Sequence, residues 1–154
     1  MRHTEKAFVW IVELLRKYKI PFQISGGLAA KVYGSDRKLA DIDIDIKSKN
    51  LKKIILEIKP YIVIGPGRYL DTNWDIKNLA TLKYKNQYID LSESPQKIYD
   101  SNKKKWVILH TKFTNSRNKS LFGLSVPVIL KQELIAYKTK LNRKCDRYDV
   151  EHIK

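Results

Sequence analysis

The spacing of hydrophobic and polar positions changes several times along the chain, and each change marks an element. From about Glu5 to Tyr18 the apolar residues Ala7, Ile11, Leu14 and Leu15 recur at helical intervals. They predict an amphipathic helix capped by Thr4 and stopped by Lys19 to Pro21. Phe22, Gln23 and Ile24 predict a short strand running into Ser25-Gly26-Gly27, and Leu28 to Tyr33 a short helix closed by Gly34. Next, Ile42, Ile44 and Ile46 alternate with Asp41, Asp43 and Asp45, a period of two that predicts a strand with one apolar and one acidic face. Asn50 is expected to cap a helix that Pro60 ends, and Tyr61 to Ile64 reads as a strand stopping at the turn Gly65-Pro66-Gly67.

Leu79 to Lys85 and Tyr88 to Leu91 predict a hairpin around Asn86-Gln87. Residues 94–118 read as polar and irregular apart from a strand-like stretch at Trp106 to His110. A helix is expected from about Val128 to Leu141 and a shorter one from Asp146. There is no internal repeat and no linker long enough to separate independent units. The expectation is one mixed α/β (α+β) domain over residues 1–154, with a core at about 5–125 and a helical tail at about 126–154.

Composition narrows the class. A chain with 43% hydrophobic and 10% aromatic residues can bury a core, which excludes a disordered basic tail. The single Cys145 cannot form an internal disulfide, and no Cys/His spacing suits zinc. The apolar run Ala7 to Val12 is too short for a membrane span, so a cytoplasmic protein without a membrane partner is expected. The net charge of +15 draws anions, either nucleic acid or phosphorylated small molecules, although scattered lysines also suit a solvated surface.

The acidic strand carries the chemistry. Residues two apart on a strand share a face at about 6.6 Å, so Asp41, Asp43 and Asp45 line up and repel unless a cation neutralises them. Hard divalent cations, Mg²⁺ among them, prefer carboxylate oxygens together with substrate phosphates. The plain alternative is a half-exposed strand with acidic outer positions, but Asp is depleted in strands. Ser25-Gly26-Gly27 stands about a dozen residues upstream, where glycines let a phosphate approach the start of the following helix. A tight strand-to-helix connection would need no more than the same turn. Together, turn and acids set phosphate donors beside a metal, with Arg37 as a further charge.

Ser25-Gly26-Gly27-Leu28-Ala29, Tyr33-Gly34, Arg37 and Asp41-Ile42-Asp43-Ile44-Asp45 resemble the signature of the DNA polymerase β-type nucleotidyltransferase superfamily. The small lincosamide and aminoglycoside nucleotidyltransferases and the abortive-infection type toxins are the nearest groups. In many antibiotic-modifying members a His stands shortly before the paired acids, where this chain has Leu39 and Ala40. The resemblance implies a nucleotidyltransferase fold, with a small mixed sheet flanked by helices. It also implies transfer of an NMP from an NTP to a hydroxyl, with release of pyrophosphate.

By the same resemblance, Asp41 and Asp43 would hold two Mg²⁺ ions, and Asp90 would share one and orient or deprotonate the acceptor. Asp75 is the fallback for Asp90. Ser25, Gly26 and Gly27 would hold the outer phosphates with Arg37 and Lys138, whereas Asp45, farther along the strand, reads as a supporting or surface residue rather than a ligand. The acceptor would be RNA, such as tRNA, or a small hydroxylated molecule such as an antibiotic. The competing reading is a non-catalytic RNA-binding or antitoxin-like module on the same fold. His3, His110, His152 and Cys145 receive no role, and Lys103-Lys104-Lys105 before Trp106 is as readily a solvated loop as a phosphate contact.

Overall fold

A computed structural model describes residues 1–154. The chain forms α1 (Thr4–Lys17), β1 (Phe22–Ser25), α2 (Gly26–Val32), β2 (Asp41–Lys47), α3 (Ile55–Ile58), β3 (Ile62–Leu70), β4 (Trp74–Tyr84), β5 (Gln87–Ser94), β6 (Gln96–Asp100), β7 (Lys105–Leu109), β8 (Arg117–Leu121), β9 (Leu124–Val128), α4 (Lys131–Leu141) and α5 (Lys144–His152). The strands make one mixed sheet in the order β7-β6-β4-β5-β2-β1-β9-β8, with β3 on the other edge of β4. Helices flank it, so the α+β class expected from the sequence is what forms. No helix is long and apolar enough to cross a membrane.

Burial explains this arrangement. Ile42, Ile44 and Ile46 are at most 1% exposed and join Ala7, Ile11 and Leu15 of α1 in a continuous hydrophobic cluster. Each such isoleucine contributes about 1.5–3 kcal/mol relative to an exposed one. The isoleucine face of β2 is therefore committed to the core. By the period of two, its aspartates face the other way.

Several elements differ from their expected form. Thr4 is the first residue of α1 rather than its cap, and its hydroxyl donates to Gln87 Oε1 at 2.6 Å. Asn50 precedes a 3₁₀ turn, Leu51–Ile54, rather than an α-helix, and its side chain makes no capping bond. Its amide donates to the carbonyls of Lys47 and Ser48, and residues 51–61 coil through 3₁₀ turns around the single α turn of α3. Gly65-Pro66-Gly67 does not end the strand but lies within β3, absorbed by register shifts against β4. The hairpin turn is Lys85-Asn86, both at positive φ (47° and 63°), one residue earlier than expected. A two-residue turn that matches the strand twist demands that conformation, and Asn tolerates it.

The polar stretch 94–118 is the largest departure, because besides β7, which matches the strand expected at Trp106 to His110, it supplies β6 and the start of β8. Gln96, Ile98 and Asp100 alternate inward, and two of these three buried side chains are polar, so hydropathy alone hid the strand. Val128 pairs with Ile24 and Arg117 and belongs to β9, so α4 starts three residues later than expected.

Candidate active site

Strand pairing assembles the acids. β2 and β5 run parallel with Asp43 opposite Asp90, and β1 runs antiparallel to β2 with Ser25 opposite Asp43. Asp41, Asp43 and Asp90 consequently bring one carboxylate oxygen each within 4.8 Å of one another. Thr81 on β4, in register with Asp90, donates its hydroxyl to Asp90 Oδ1 at 2.6 Å. Asp75 is elsewhere, in a bidentate pair with Arg68, so Asp90 is the third member of the cluster.

Crowding shows in the titration of these groups. Burial, then the charges of Asp41, Asp90 and Asp45, holds the Asp43 carboxyl well above the usual range, with Lys138 opposing. Burial also lifts Asp90 to about 6 against the Thr81 hydrogen bond. Asp45, farther along β2, is buried and lifted by that burial to about 6, while Gln96 and Thr111 hydrogen-bond to its two oxygens. Both of its oxygens are engaged, which sets Asp45 apart from the trio. The trio offers only carboxylate oxygens, close together and strained by mutual repulsion. That donor set fits a hard divalent cation.

Beside the acids, β1 turns into α2 at Ser25-Gly26. Gly26 has φ +59°, and a Cβ placed there would lie 2.0 Å from Asp43 Oδ2. The backbone and the carboxylate can approach this closely only because the side chain is absent. The Gly26 N–H donates to the Tyr137 hydroxyl of α4 at 2.9 Å, which pins the turn to the C-terminal helices. We expect Gly26→Ala to displace Asp43 and cost about 2–4 kcal/mol, from left-handed strain together with the clash. Denaturant titration of the purified variant checks this, and Gly67→Ala, where nothing lies within 4 Å of the new methyl, is the control.

A cleft of about 500 Å³ opens over the acids, within the size range of nucleotide and cofactor sites. Ser25, Gly26, Gly27, Arg37 and Lys138, the residues expected around the phosphates, all line it. Arg37 and Lys138 are already engaged, however. Arg37 makes a bidentate pair with Asp149 at 2.9 and 2.7 Å. Lys138, 2% exposed, bridges Asp146 and Asp149 at 3.2 and 3.0 Å. Arg143, also lining the cleft, pairs with Asp146. Burial alone would raise Asp149, but hydrogen bonds from Arg37, Ser35 and Lys138 override it and hold the group near 2.

The sequence reading missed Tyr137, Thr81 and Lys38. Tyr137 and Thr81 act through single hydrogen bonds that have no motif. Lys38, exposed at the rim, is the one cation lining the cleft that forms no ion pair.

Comparison with solved structures decides the fold. The chain superposes over 98% of its length on a Thermotoga maritima protein to which nucleotidyltransferase activity has been ascribed, with TM-score 0.72, 15% identity and 93% of that chain covered. The chain has the nucleotidyltransferase fold. The lincosamide antibiotic adenylyltransferase LnuA, solved with lincomycin, matches with TM-score 0.62 and 17% identity over 98% of this chain and 96% of that one. ANT(2")-Ia, solved with adenylyl-2"-tobramycin, matches with TM-score 0.58 and 13% identity over 96% and 86%. No protein-family model and no curated protein matches the sequence. Within this nucleotidyltransferase fold, Asp41, Asp43 and Asp90 are the acids that strand pairing brings together.

Proposed function

We propose that the chain transfers an NMP from an NTP to a hydroxyl acceptor and releases pyrophosphate. The observation that carries this reading is the convergence of Asp41, Asp43 and Asp90 beside a glycine turn, in a cleft of nucleotide size. A non-catalytic module has no need of a repelling trio kept close by Gly26. Similarity to adenylyltransferases solved with an antibiotic or an adenylylated product supports the same chemistry.

Asp41, Asp43 and Asp90 would hold Mg²⁺, which supplies charge neutralisation for an in-line displacement at phosphorus. Asp90, oriented by the Thr81 hydroxyl, receives the proton of the acceptor hydroxyl. That oxygen bonds to the α-phosphorus, the α–β bridging P–O bond breaks, and its electron pair leaves with pyrophosphate. Gly26 and Gly27 let the triphosphate lie against the turn.

The charges divide in a way the resemblance alone does not give. Arg37, Lys138 and Arg143 are tied to Asp146 and Asp149, so they hold the cleft's shape and contribute a fixed positive field. Lys38 is free to meet the outer phosphates. The acceptor is an RNA end or a small hydroxylated molecule. Asp71, another carboxylate of the cleft, is fixed in place by the Asn73 and Trp74 amides and the Tyr69 hydroxyl.

Incubation with each α-labelled NTP and Mg²⁺, against tRNA, aminoglycosides, lincosamides and protein, tests the reading. Label is expected on one acceptor class, and label on none would overturn the proposal. Lys38→Glu is expected to raise the KM for NTP about tenfold or more, from removal of one charge-assisted hydrogen bond and gain of a repulsion, with Lys38→Arg near the parent.

A further inference from the structure

The hairpin of β6 and β7 carries a surface that the cleft does not use. Trp106 and Ile108 alternate along β7, are 41% and 58% exposed, and lie opposite Tyr99 and Lys97 of β6. Tyr99 meets the Trp106 indole edge-on with ring centroids 5.6 Å apart. Their alternate neighbours Gln96, Ile98 and Asp100 point to the buried side, where Gln96 reaches Asp45. Trp106, Tyr99, Ile108 and Lys97 therefore occupy the sheet face turned away from the acids.

The exposed lysines Lys103, Lys104 and Lys105 form the hairpin turn and the start of β7, and neither they nor Lys97 has a carboxylate partner. The two nearby acids are spent. Asp75, opposite Lys97 in the ladder, holds Arg68 in a bidentate pair and feels the Lys97 charge only at longer range, and Asp100 is 2% exposed and accepts the N–H groups of Asn102 and Lys103. Two aromatic rings framed by unpaired cations, with no free acid among them, match a polyanion whose units carry flat apolar faces.

We propose that this face binds single-stranded RNA, with bases stacked on Trp106 and Tyr99 and phosphates on Lys97, Lys103 and Lys104. Unpaired bases stack on aromatic side chains whatever their identity, and the lysines release counterions from the backbone. β6 rises about 13 Å from Gln96 at the cleft to Asp100 at the turn, so the platform begins at the margin of the site. β7 pairs only with β6, and a strand bound on this face can pass round that edge towards the acids. The inference deepens the nucleotidyl-transfer reading by making RNA the acceptor, but binding itself requires no transfer.

The test is fluorescence anisotropy with a labelled 12-nucleotide RNA, without NTP or metal, across a salt series. The parent is expected to bind, and Trp106→Ala to weaken binding at least about fivefold, as removal of one stacked base requires. Trp106→Phe should restore most of the affinity. Lys103→Glu/Lys104→Glu should weaken binding tenfold or more and flatten the salt dependence, by about 0.7 in slope for each phosphate left without its lysine. Lys52→Glu/Lys53→Glu, an equal charge change at exposed sites elsewhere, should have less than a third of that effect.

Absence of binding, or equal losses in the two lysine pairs, would overturn the proposal. So would tenfold tighter binding of a DNA oligonucleotide of the same sequence, or a dimer dissolved by Trp106→Ala with RNA affinity unchanged. Failure of the labelling experiment alone would leave this result standing, because no nucleotide enters the binding assay.

Discussion

Asp43→Asn is expected to abolish nucleotidyl transfer and, at the same time, to stabilise the metal-free protein. The two effects have one cause. Asp43 sits with Asp41 and Asp90 in a cluster whose oxygens lie within 4.8 Å, with its own carboxyl held well above the usual range by burial and by its neighbours. A carboxyl whose folded-state pKa is raised favours the folded state in acid, where it is protonated. It withdraws that support as pH climbs from the ordinary carboxylate range through the raised value.

At pH 7.5 the isosteric amide removes the repulsion. A gain of about 1–3 kcal/mol corresponds to a melting temperature higher by roughly 3–10 °C for a chain of this size. The activity loss should be at least about 10³-fold, the scale of removing one preorganised group that stabilises transition-state charge. Differential scanning fluorimetry with and without Mg²⁺, alongside pyrophosphate release, reads both. The parent should gain stability from Mg²⁺ and the variant should not. Because the acids must be deprotonated to hold a cation, the Mg²⁺-dependent gain in the parent should fade as pH drops through about 6, the value of Asp90. A variant that melts no higher than the parent and still turns over would remove both the cluster's electrostatics and its proposed chemistry.

What the sequence made legible, and what it did not, follows from range. The alternation Asp41 to Ile46 is a local signal, and it placed β2, its buried face and the acids correctly because a period of two admits one geometry. Ser25-Gly26-Gly27 was legible as a turn. The reason Gly26 must be glycine is that a Cβ there would lie 2.0 Å from Asp43 Oδ2, seventeen positions away, and no local pattern carries that. Asp90 looked ordinary in Tyr88-Ile89-Asp90-Leu91, and only the parallel register of β2 and β5 gives it a neighbour. β6 escaped because two of its inward positions are Gln96 and Asp100, whereas its partner β7 matches the strand expected at Trp106 to His110. Gln96 and Asp100 are tolerated in the interior only through bonds to Asp45 and to the turn amides. Lys138 lines the cleft as expected, but its ion pairs were not legible. Its residue type fits a phosphate partner, but α5 brings Asp146 and Asp149 to it, and burial then commits it to them.

That commitment makes Asp149 the position where a single substitution should damage the fold most. The cluster joins Arg37, Lys138 and Arg143 to Asp146 and Asp149, three cations against two anions, with Lys138 and both acids nearly or fully inaccessible. Asp149→Ala strips Arg37 and Ser35 of their partner and leaves Lys138 with one carboxylate for a buried charge. Removing one partner from a buried ion pair costs about 3–5 kcal/mol. Lys138→Met is expected to be far milder, since Asp146 keeps Arg143, Asp149 keeps Arg37, and the cluster becomes neutral. Lys138→Met/Asp149→Ala should recover some of the stability, because the ammonium left to share Asp146 with Arg143 is gone. Asp149 is held near 2, below its unfolded value, so its support is complete above the ordinary carboxylate range and disappears as pH falls through about 2. The gap between parent and Asp149→Ala in urea unfolding should accordingly narrow in acid. An Asp149→Ala protein as stable as the parent at pH 7, or a Lys138→Met protein less stable than Asp149→Ala, would show that packing rather than charge pairing holds α5 against the cleft.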